Sequence, residues 1–353
     1  MTRSSSYIAA ARSGAARRLL PCLVALATSA TVLTACSGDA SSDTGADGLT
    51  TVTFALNYIP DPSLNGLAYA MEEGLFEEQG IDVELVPYGS TPAESLVASG
   101  QADLGLATDI RTALIAMASG ADLTSYFATY QHVPYALTVL DDSPYQRPAD
   151  LAGKTYGGFG SPMELAVVND MIAADGGDEE AENVTLSTGT YDALGAGRVD
   201  TVLSFPGDAF ALEQAGQKVR TWSTLDYDLP DVYGGLLIAS GAYAEEHPEV
   251  VEGFTRALQE GYQAALEDSA AADEAALATF PDELDPAVLD YVSTIQTDEL
   301  YPSPSGVVGA QDAAVWQENA DWLIGHGLLV DAAGEPLDSF DTSTVFTDEY
   351  LQP

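Results

Sequence analysis

Positive charge is what this chain has least of. Eleven lysines and arginines stand against 55 acidic residues, a formal net charge of −44. A surface this negative repels nucleic acid and anionic lipid, so neither is expected as a partner. Cysteine is nearly absent: Cys22 and Cys36 are the only two. The body of the chain therefore has no disulfide, no cysteine metal cluster and no cysteine nucleophile. Beyond residue 35 no apolar run reaches the roughly 18 residues that a membrane span needs. His132, His247 and His326 are scattered, which is not a metal-ligand spacing. Gly-x-Ser-x-Gly, His-Glu-x-x-His and Walker patterns are missing, and Gly157-Gly158-Phe159-Gly160 lacks the Lys-Ser/Thr of a phosphate loop. No metal and no cofactor are expected, and no carboxylate pair stands out as catalytic. The expectation is a chain that is not an enzyme.

What is there begins at the N-terminus. Arg3, Arg12, Arg17 and Arg18 precede an apolar segment from Leu19 to Leu33, and Leu33-Thr34-Ala35-Cys36 closes it. This resembles a bacterial lipobox, in which a small residue precedes a cysteine that is diacylated. The resemblance implies a signal peptide over 1–35, lipidation at Cys36 and a disordered tether over 36–48, rich in Ser, Gly and Asp. The chain would be lipid-anchored at the extracytoplasmic face of the cell membrane. Removing the signal leaves seven basic residues against 55 acidic ones, a formal −48. That charge reads as surface solvation or a saline habitat rather than as a binding function.

From Leu49 onward strands and helices alternate. Thr51–Leu56, Ile81–Val86, 102–107, Leu123–Tyr130 and Tyr135–Leu140 read as strands, with helices over 64–75, 91–100 and 109–119 between them. A second set follows: strands at 155–159, 184–187, 201–204, 219–222 and 235–239, and helices at 163–174, near 193 and at 209–215. Thr91-Pro92-Ala93-Glu94 has the cap, the first-position proline and the first-turn acid of a helix start. After Glu245 the chain is mostly helical: 249–267, 271–279, 285–294 and 309–325. This alternation predicts an α/β architecture with parallel sheets.

Three segments carry a family resemblance. They are Glu73-Gly-Leu-Phe76 through Gly80-Ile-Asp-Val83, Val97-Ala-Ser-Gly100 with Ala102-Asp103, and Gly160-Ser161-Pro162-Met163-Glu164 with Ala173 to Asp178. Asp226-Tyr227-Asp228-Leu229-Pro230-Asp231-Val232-Tyr233 adds a fourth. Together they resemble the solute-binding proteins of ABC importers, in the branch that binds thiamine-pyrimidine precursors and is related to sulfonate, nitrate and taurine binders. The resemblance implies a two-lobe periplasmic-binding-protein type II fold, each lobe a mostly parallel sheet flanked by helices, joined by two crossover strands. Lobe one would hold 49–138 and 240–353, and lobe two 139–239 with the hinge strands. The expected partners are a small-molecule ligand, an ABC permease and its cytoplasmic ATPase, and the protein would act as a monomer. A riboflavin-like ring or a nitrate, sulfonate or taurine-type anion is the alternative ligand. A yeast-type pyrimidine synthase resembles the chain in outline, but such enzymes carry a cofactor lysine and a cysteine-rich motif, and here Lys154 and Lys218 are the only lysines.

Candidate ligand contacts follow from the loops at strand ends. Asn57 and Tyr58 follow the first strand, where an amide meets a heterocycle edge and a phenol stacks on a ring. Thr91 either contacts ligand or caps a helix. Thr108 and Asp109 end a strand and open a helix, so Asp109 either takes an exocyclic amine or serves as a cap. Tyr130 stands at a strand end, with His132 just beyond. In lobe two, Phe159, Gly160, Ser161, Pro162, Met163 and Glu164 form a loop that enters a helix, and Gly160 allows close backbone approach. Phe205 and Asp208 lie where pyrimidine binders commonly show Phe-Glu-Gly-Trp-Glu. Asp208 replaces the Trp and Ala209 the Glu, so a stacking ring is lost, and Tyr227 or Tyr233 would have to restore it. Arg111 is the only cation near a cleft-facing loop, which favours a neutral or cationic heterocycle over an anion.

Overall fold

The computed structural model describes residues 48–353 apart from 134, 187, 188 and 228. The signal peptide, Cys36 and nearly all of the tether lie outside the described residues, as do Ser187 of an expected strand and Asp228 of the fourth segment. The first lobe opens with β1 (Thr50–Ala55), α1 (Asn65–Glu72), α2 (Leu75–Glu78), β2 (Ile81–Val86) and α3 (Ala93–Ala98). It continues with β3 (Leu104–Asp109), α4 (Ile110–Ala118) and β4 (Leu123–Tyr130). The second lobe comprises β5 (Ala136–Leu140), β6 (Thr155–Gly158), α5 (Pro162–Ala174), β7 (Glu182–Thr185), α6 (Thr190–Gly195), β8 (Thr201–Ser204), α7 (Pro206–Gln214) and β9 (Val219–Ser223). The chain returns through β10 (Gly234–Ser240) to α8 (Gly241–Glu246), α9 (Pro248–Glu267), α10 (Ser269–Thr279), α11 (Pro286–Ile295) and α12 (Ala313–Gly325).

Two five-stranded sheets result, ordered β2-β1-β3-β10-β4 and β7-β6-β8-β5-β9. Both are mixed: four strands of each run the same way, and one, β10 or β5, runs against them. β1 pairs in parallel with β2 and β3, and β6 with β7 and β8. β10 is antiparallel to β3 and β4, and β5 to β8 and β9. The reason lies in the crossovers. A strand arriving from the other lobe enters at the carboxyl end of its new sheet, so it must run against its neighbours. The same pairing differs from the expected lobe boundaries: 234–239 belongs to the first lobe and 136–138 to the second, and the chain crosses between β4 and β5 and between β9 and β10.

The first lobe buries the larger core. On one face of its sheet Phe54 and Phe76 pack on Phe254 of α9, with ring centroids 5.0 and 4.6 Å apart. Each such buried side chain contributes about 1.5–3 kcal/mol relative to exposure. α9 lies on α1 without side chains between them at one point: a Cβ on Gly261 would stand 2.2 Å from the carbonyl oxygen of Gly66. The other face is covered by α3, α4 and α12, whose buried Ile110, Leu114, Trp316 and Leu323 share one cluster. The second lobe has a smaller core of Leu137, Tyr156, Val168 and Met171. Among the described residues no helix is long and apolar enough to cross a membrane, and no group of three or more His, Cys, Asp or Glu could hold a metal.

Candidate functional site

Apart from β5 and β10, the strands of both sheets point their carboxyl ends at each other, and the loops there meet. Large exposed hydrophobic side chains gather on them: Tyr58 (44%), Tyr88 (48%), Phe159 (55%) and Phe205 (39%). Water-exposed rings on facing loops are what a flat ligand would cover. Tyr58, after β1, lies against Tyr88, after β2, at 5.3 Å between centroids. Its phenol is held above its usual value first by burial and then by Asp208, Tyr88 and Asp61. Since Asp208 belongs to α7, Tyr58 already faces the second lobe.

Carboxylates line the same space. Asp61 accepts from Ser63 N at 2.7 Å, and its pKa is raised by burial, with a contribution from Asp208. Asp109 caps α4 in a reciprocal pair with Thr112, and the Tyr135 hydroxyl donates to it at 3.0 Å. Tyr135 starts on the first crossover and lays its ring 4.9 Å from Phe205. In α5, Glu164 accepts from Phe159 N at 3.0 Å. Burial raises the Glu164 pKa, and the Tyr156 hydroxyl lies beside the carboxyl. In α7, Asp208 accepts from Phe205 N at 2.9 Å and from the Tyr191 hydroxyl at 2.5 Å. Its pKa too is raised by burial. Tyrosines and acids thus alternate around the crevice, and the lysines stay away. Lys154 precedes β6 and Lys218 precedes β9, at the opposite ends of those strands from the crevice.

Most of the sequence candidates come together here. Asn57 and Tyr58, Thr108 and Asp109, the run Phe159-Gly160-Ser161-Pro162-Met163-Glu164, and Phe205 with Asp208 all fall on these loops or the helix starts that follow them. Gly160 has φ +85°, and a Cβ there would lie 2.9 Å from Thr185, so the turn needs glycine. Tyr130 reaches the floor but is engaged: Gln296 Nε2 donates to its hydroxyl at 2.7 Å, and its ring stacks on Tyr301.

Other candidates are corrected. Thr91 is exposed and caps nothing, because Pro92 with ψ 148° takes the cap position itself and the helix starts at Ala93. Tyr233 is 4% exposed and turned away. Its hydroxyl accepts from Asp312 N at 2.9 Å, and it lines a separate cavity of about 420 Å³ behind the crossovers with His132, Asp231 and Gln311. Gly234 pairs with Asp109 and Tyr130, and that register sends the preceding side chain to the other side. Tyr227 lies in another recess of about 240 Å³, beside Asp170, Pro230 and Trp322. Neither tyrosine restores the lost ring. Arg111 also leaves the crevice: Nε donates to Asn319 at 2.8 Å and the guanidinium stacks 4.0 Å over Trp322.

Sequence reasoning missed Asp61, Tyr88, Tyr135, Tyr156 and Tyr191. Asp61, Tyr88 and Tyr191 lie shortly past the ends of β1, β2 and β7, and that position was a usable signal. Tyr135 and Tyr156 precede or sit inside strands, where only tertiary packing reveals their direction.

The chain is 29% identical over 306 residues to the formylaminopyrimidine-binding protein of Halalkalibacterium halodurans, covering 84% of this chain and 91% of that one. It is 24% identical over 226 residues to the 4-amino-5-hydroxymethyl-2-methylpyrimidine phosphate synthase of Legionella pneumophila, covering 60% of this chain and 67% of that one. The structure of the alkanesulfonate-binding protein SsuA from Xanthomonas axonopodis pv. citri bound to MOPS matches with a TM-score of 0.62 at 22% identity, over 80% of this chain and 95% of that one. That likeness shows the two-lobed periplasmic-binding-protein fold. The model of the NMT1/THI5-like family matches residues 61–272, and the chain belongs to that family.

Proposed function

We propose that this chain is an extracytoplasmic solute-binding protein of an ABC importer. It captures a small nitrogen heterocycle of the thiamine-pyrimidine-precursor type between its lobes and delivers it to a permease. One observation carries the reading. The crevice combines exposed rings with carboxylates fixed by tyrosines, an arrangement suited to a flat ligand with amino groups. The name of the Halalkalibacterium halodurans relative supports the same ligand class. Ligand bridging the two lobes stabilises the closed arrangement, which the permease would read. The N-terminal pattern ending at Cys36 supports a lipid anchor, and Cys36→Ala should release the protein from membranes.

A synthase is the second reading, because the Legionella pneumophila relative bears that name. The lysine positions disfavour it. A cofactor held as a Schiff base needs a lysine in the crevice, and Lys154 and Lys218 stand at the far strand ends. The residues present do not fit that group.

Thermal unfolding of the purified chain tests the proposal. A ligand that binds only the folded state raises the midpoint by mass action, by ~2.7 kcal/mol at a hundredfold excess over Kd. The midpoint should rise with 4-amino-5-hydroxymethyl-2-methylpyrimidine and its formylamino relatives. A well-folded protein that responds to no pyrimidine would overturn the reading.

A further inference from the structure

We infer that the crevice is built to exclude anions, and that Asp109, Glu164 and Asp208 are the residues that do so. The inference rests on the reading of the crevice as the ligand site. In a two-lobe fold of parallel strands, helix N-termini open on the cleft. Their free N–H groups and positive dipole ends make ready anion sites. In this chain a carboxylate of its own stands at each of three such helix starts. Asp109 accepts from Thr112 N at 2.8 Å at the start of α4. Glu164 accepts from Phe159 N at 3.0 Å beside the start of α5. Asp208 accepts from Phe205 N at 2.9 Å at the start of α7. Pro162 and Pro206 occupy the first turns of α5 and α7 and remove a further donor from each.

An acid in a first turn is commonplace, and a chain with 55 acids places some there by composition. Two features separate these three from that background. Two are held by a phenol as well as by the backbone, Asp109 by Tyr135 and Asp208 by Tyr191, and Tyr156 lies against Glu164. A carboxylate fixed in this way cannot swing into solvent to make room for a sulfonate or phosphate. Arg111 lies near Asp109, but among the described residues no cation stands against Glu164 or Asp208. An anionic ligand would meet like charge at these helix starts, whereas a ligand amino group would find a free acceptor on Glu164 or Asp208, which are only part-buried where Asp109 is fully buried.

The test compares one ring with and without an anion. Binding of 4-amino-5-hydroxymethyl-2-methylpyrimidine, of its phosphate ester and of MOPS is measured by calorimetry. The proteins are the wild-type chain and Glu164→Gln/Asp208→Asn, which keeps the hydrogen-bond acceptors and removes the charge. Wild type should prefer the alcohol over its phosphate by roughly a hundredfold or more, and the variant should bring that ratio toward one. Tyr191→Phe, which keeps the charge but frees the Asp208 carboxylate, should lower the preference by less than removing the charge does. Asp208→Asn alone serves if the double variant fails to fold. Equal wild-type affinity for alcohol and phosphate would overturn the inference and leave the proposed function standing. If no pyrimidine binds, yet the folded variant alone accepts MOPS, the proposed function falls and anion exclusion survives. A folded variant that accepts neither anion refutes the inference.

Discussion

Glu94 shows how much a single buried atom can matter. The residue is 7% exposed on the first turn of α3, and its Oε1 has no hydrogen-bond partner among the described residues. Burial raises its pKa, with Asp109 adding to the effect. A carboxyl whose pKa is raised by folding favours the fold at low pH, and that contribution is lost as pH rises through the folded value. At neutral pH Glu94 therefore costs stability. Glu94→Gln should stabilise the protein at pH 8 by on the order of 1 kcal/mol, with the gain shrinking toward pH 4. Thermal melts across that range check it, and a lower midpoint for the variant at pH 8 would refute it. Gly261 is the opposite case, a position where nothing can be added. Gly261→Ala would drive a methyl into the Gly66 carbonyl at 2.2 Å. It should destabilise by about 1–3 kcal/mol, read from urea unfolding.

At the scale of elements, the two lobes touch on both sides of the crevice. Asp170 of α5 accepts from Trp322 Nε1 of α12 at 2.7 Å and pairs with His326 Nε2 at 3.1 Å. On the other side Phe210 of α7 stacks on Tyr291 of α11 with centroids 4.3 Å apart and planes within 6°. These contacts exist only when α5 and α7 stand close to the helices of the first lobe, so they favour the closed arrangement. Asp170→Ala should shift the free protein toward open forms and weaken ligand binding roughly fivefold, the equivalent of one net hydrogen bond. Small-angle scattering should show a larger radius of gyration for the ligand-free variant, and unchanged scattering together with unchanged affinity would refute the idea. The helices that make these contacts were legible from spacing, and α12 begins four residues later than expected, at Ala313 after its cap Asp312. Their partners across the crevice were not, because hydrophobic period reports the face that is buried and not what covers it.

For the molecule as a whole, the crossovers set the range of motion. His132 Nδ1 on the first pairs with Asp231 on the second, and Val133 N donates to Val232 O at 3.0 Å. The His132 pKa is raised chiefly by its bond to Asp231. A histidine whose folded value is raised contributes stability that is full below its unfolded value, near 6.5, and is lost as pH climbs through the folded value. Unfolding midpoints should therefore fall from pH 5.5 to pH 8, and His132→Gln should be less stable at the acid end and flatten that slope. A variant with the wild-type slope would show that the bracket is not the titrating element. Both side chains are about one-third exposed, so solvent screening keeps the effect modest.

The sequence by itself determined the α/β class, the strand and helix order and the strand-end loops, because each is written in local periodicity and capping chemistry. It also determined the acidity of the crevice, since a chain this poor in lysine and arginine has little to place there. Only the tertiary structure decided which side chains enter. Tyr191 turns inward to hold Asp208, and Tyr135 to hold Asp109. Tyr233, equally aromatic and next to a strand, is sent to the far side by the register of β10. Alternation along a strand gives two faces, and nothing local says which of them meets the other lobe. The two antiparallel crossover strands were likewise beyond local reading, because their direction depends on the sheet they join and not on their own residues.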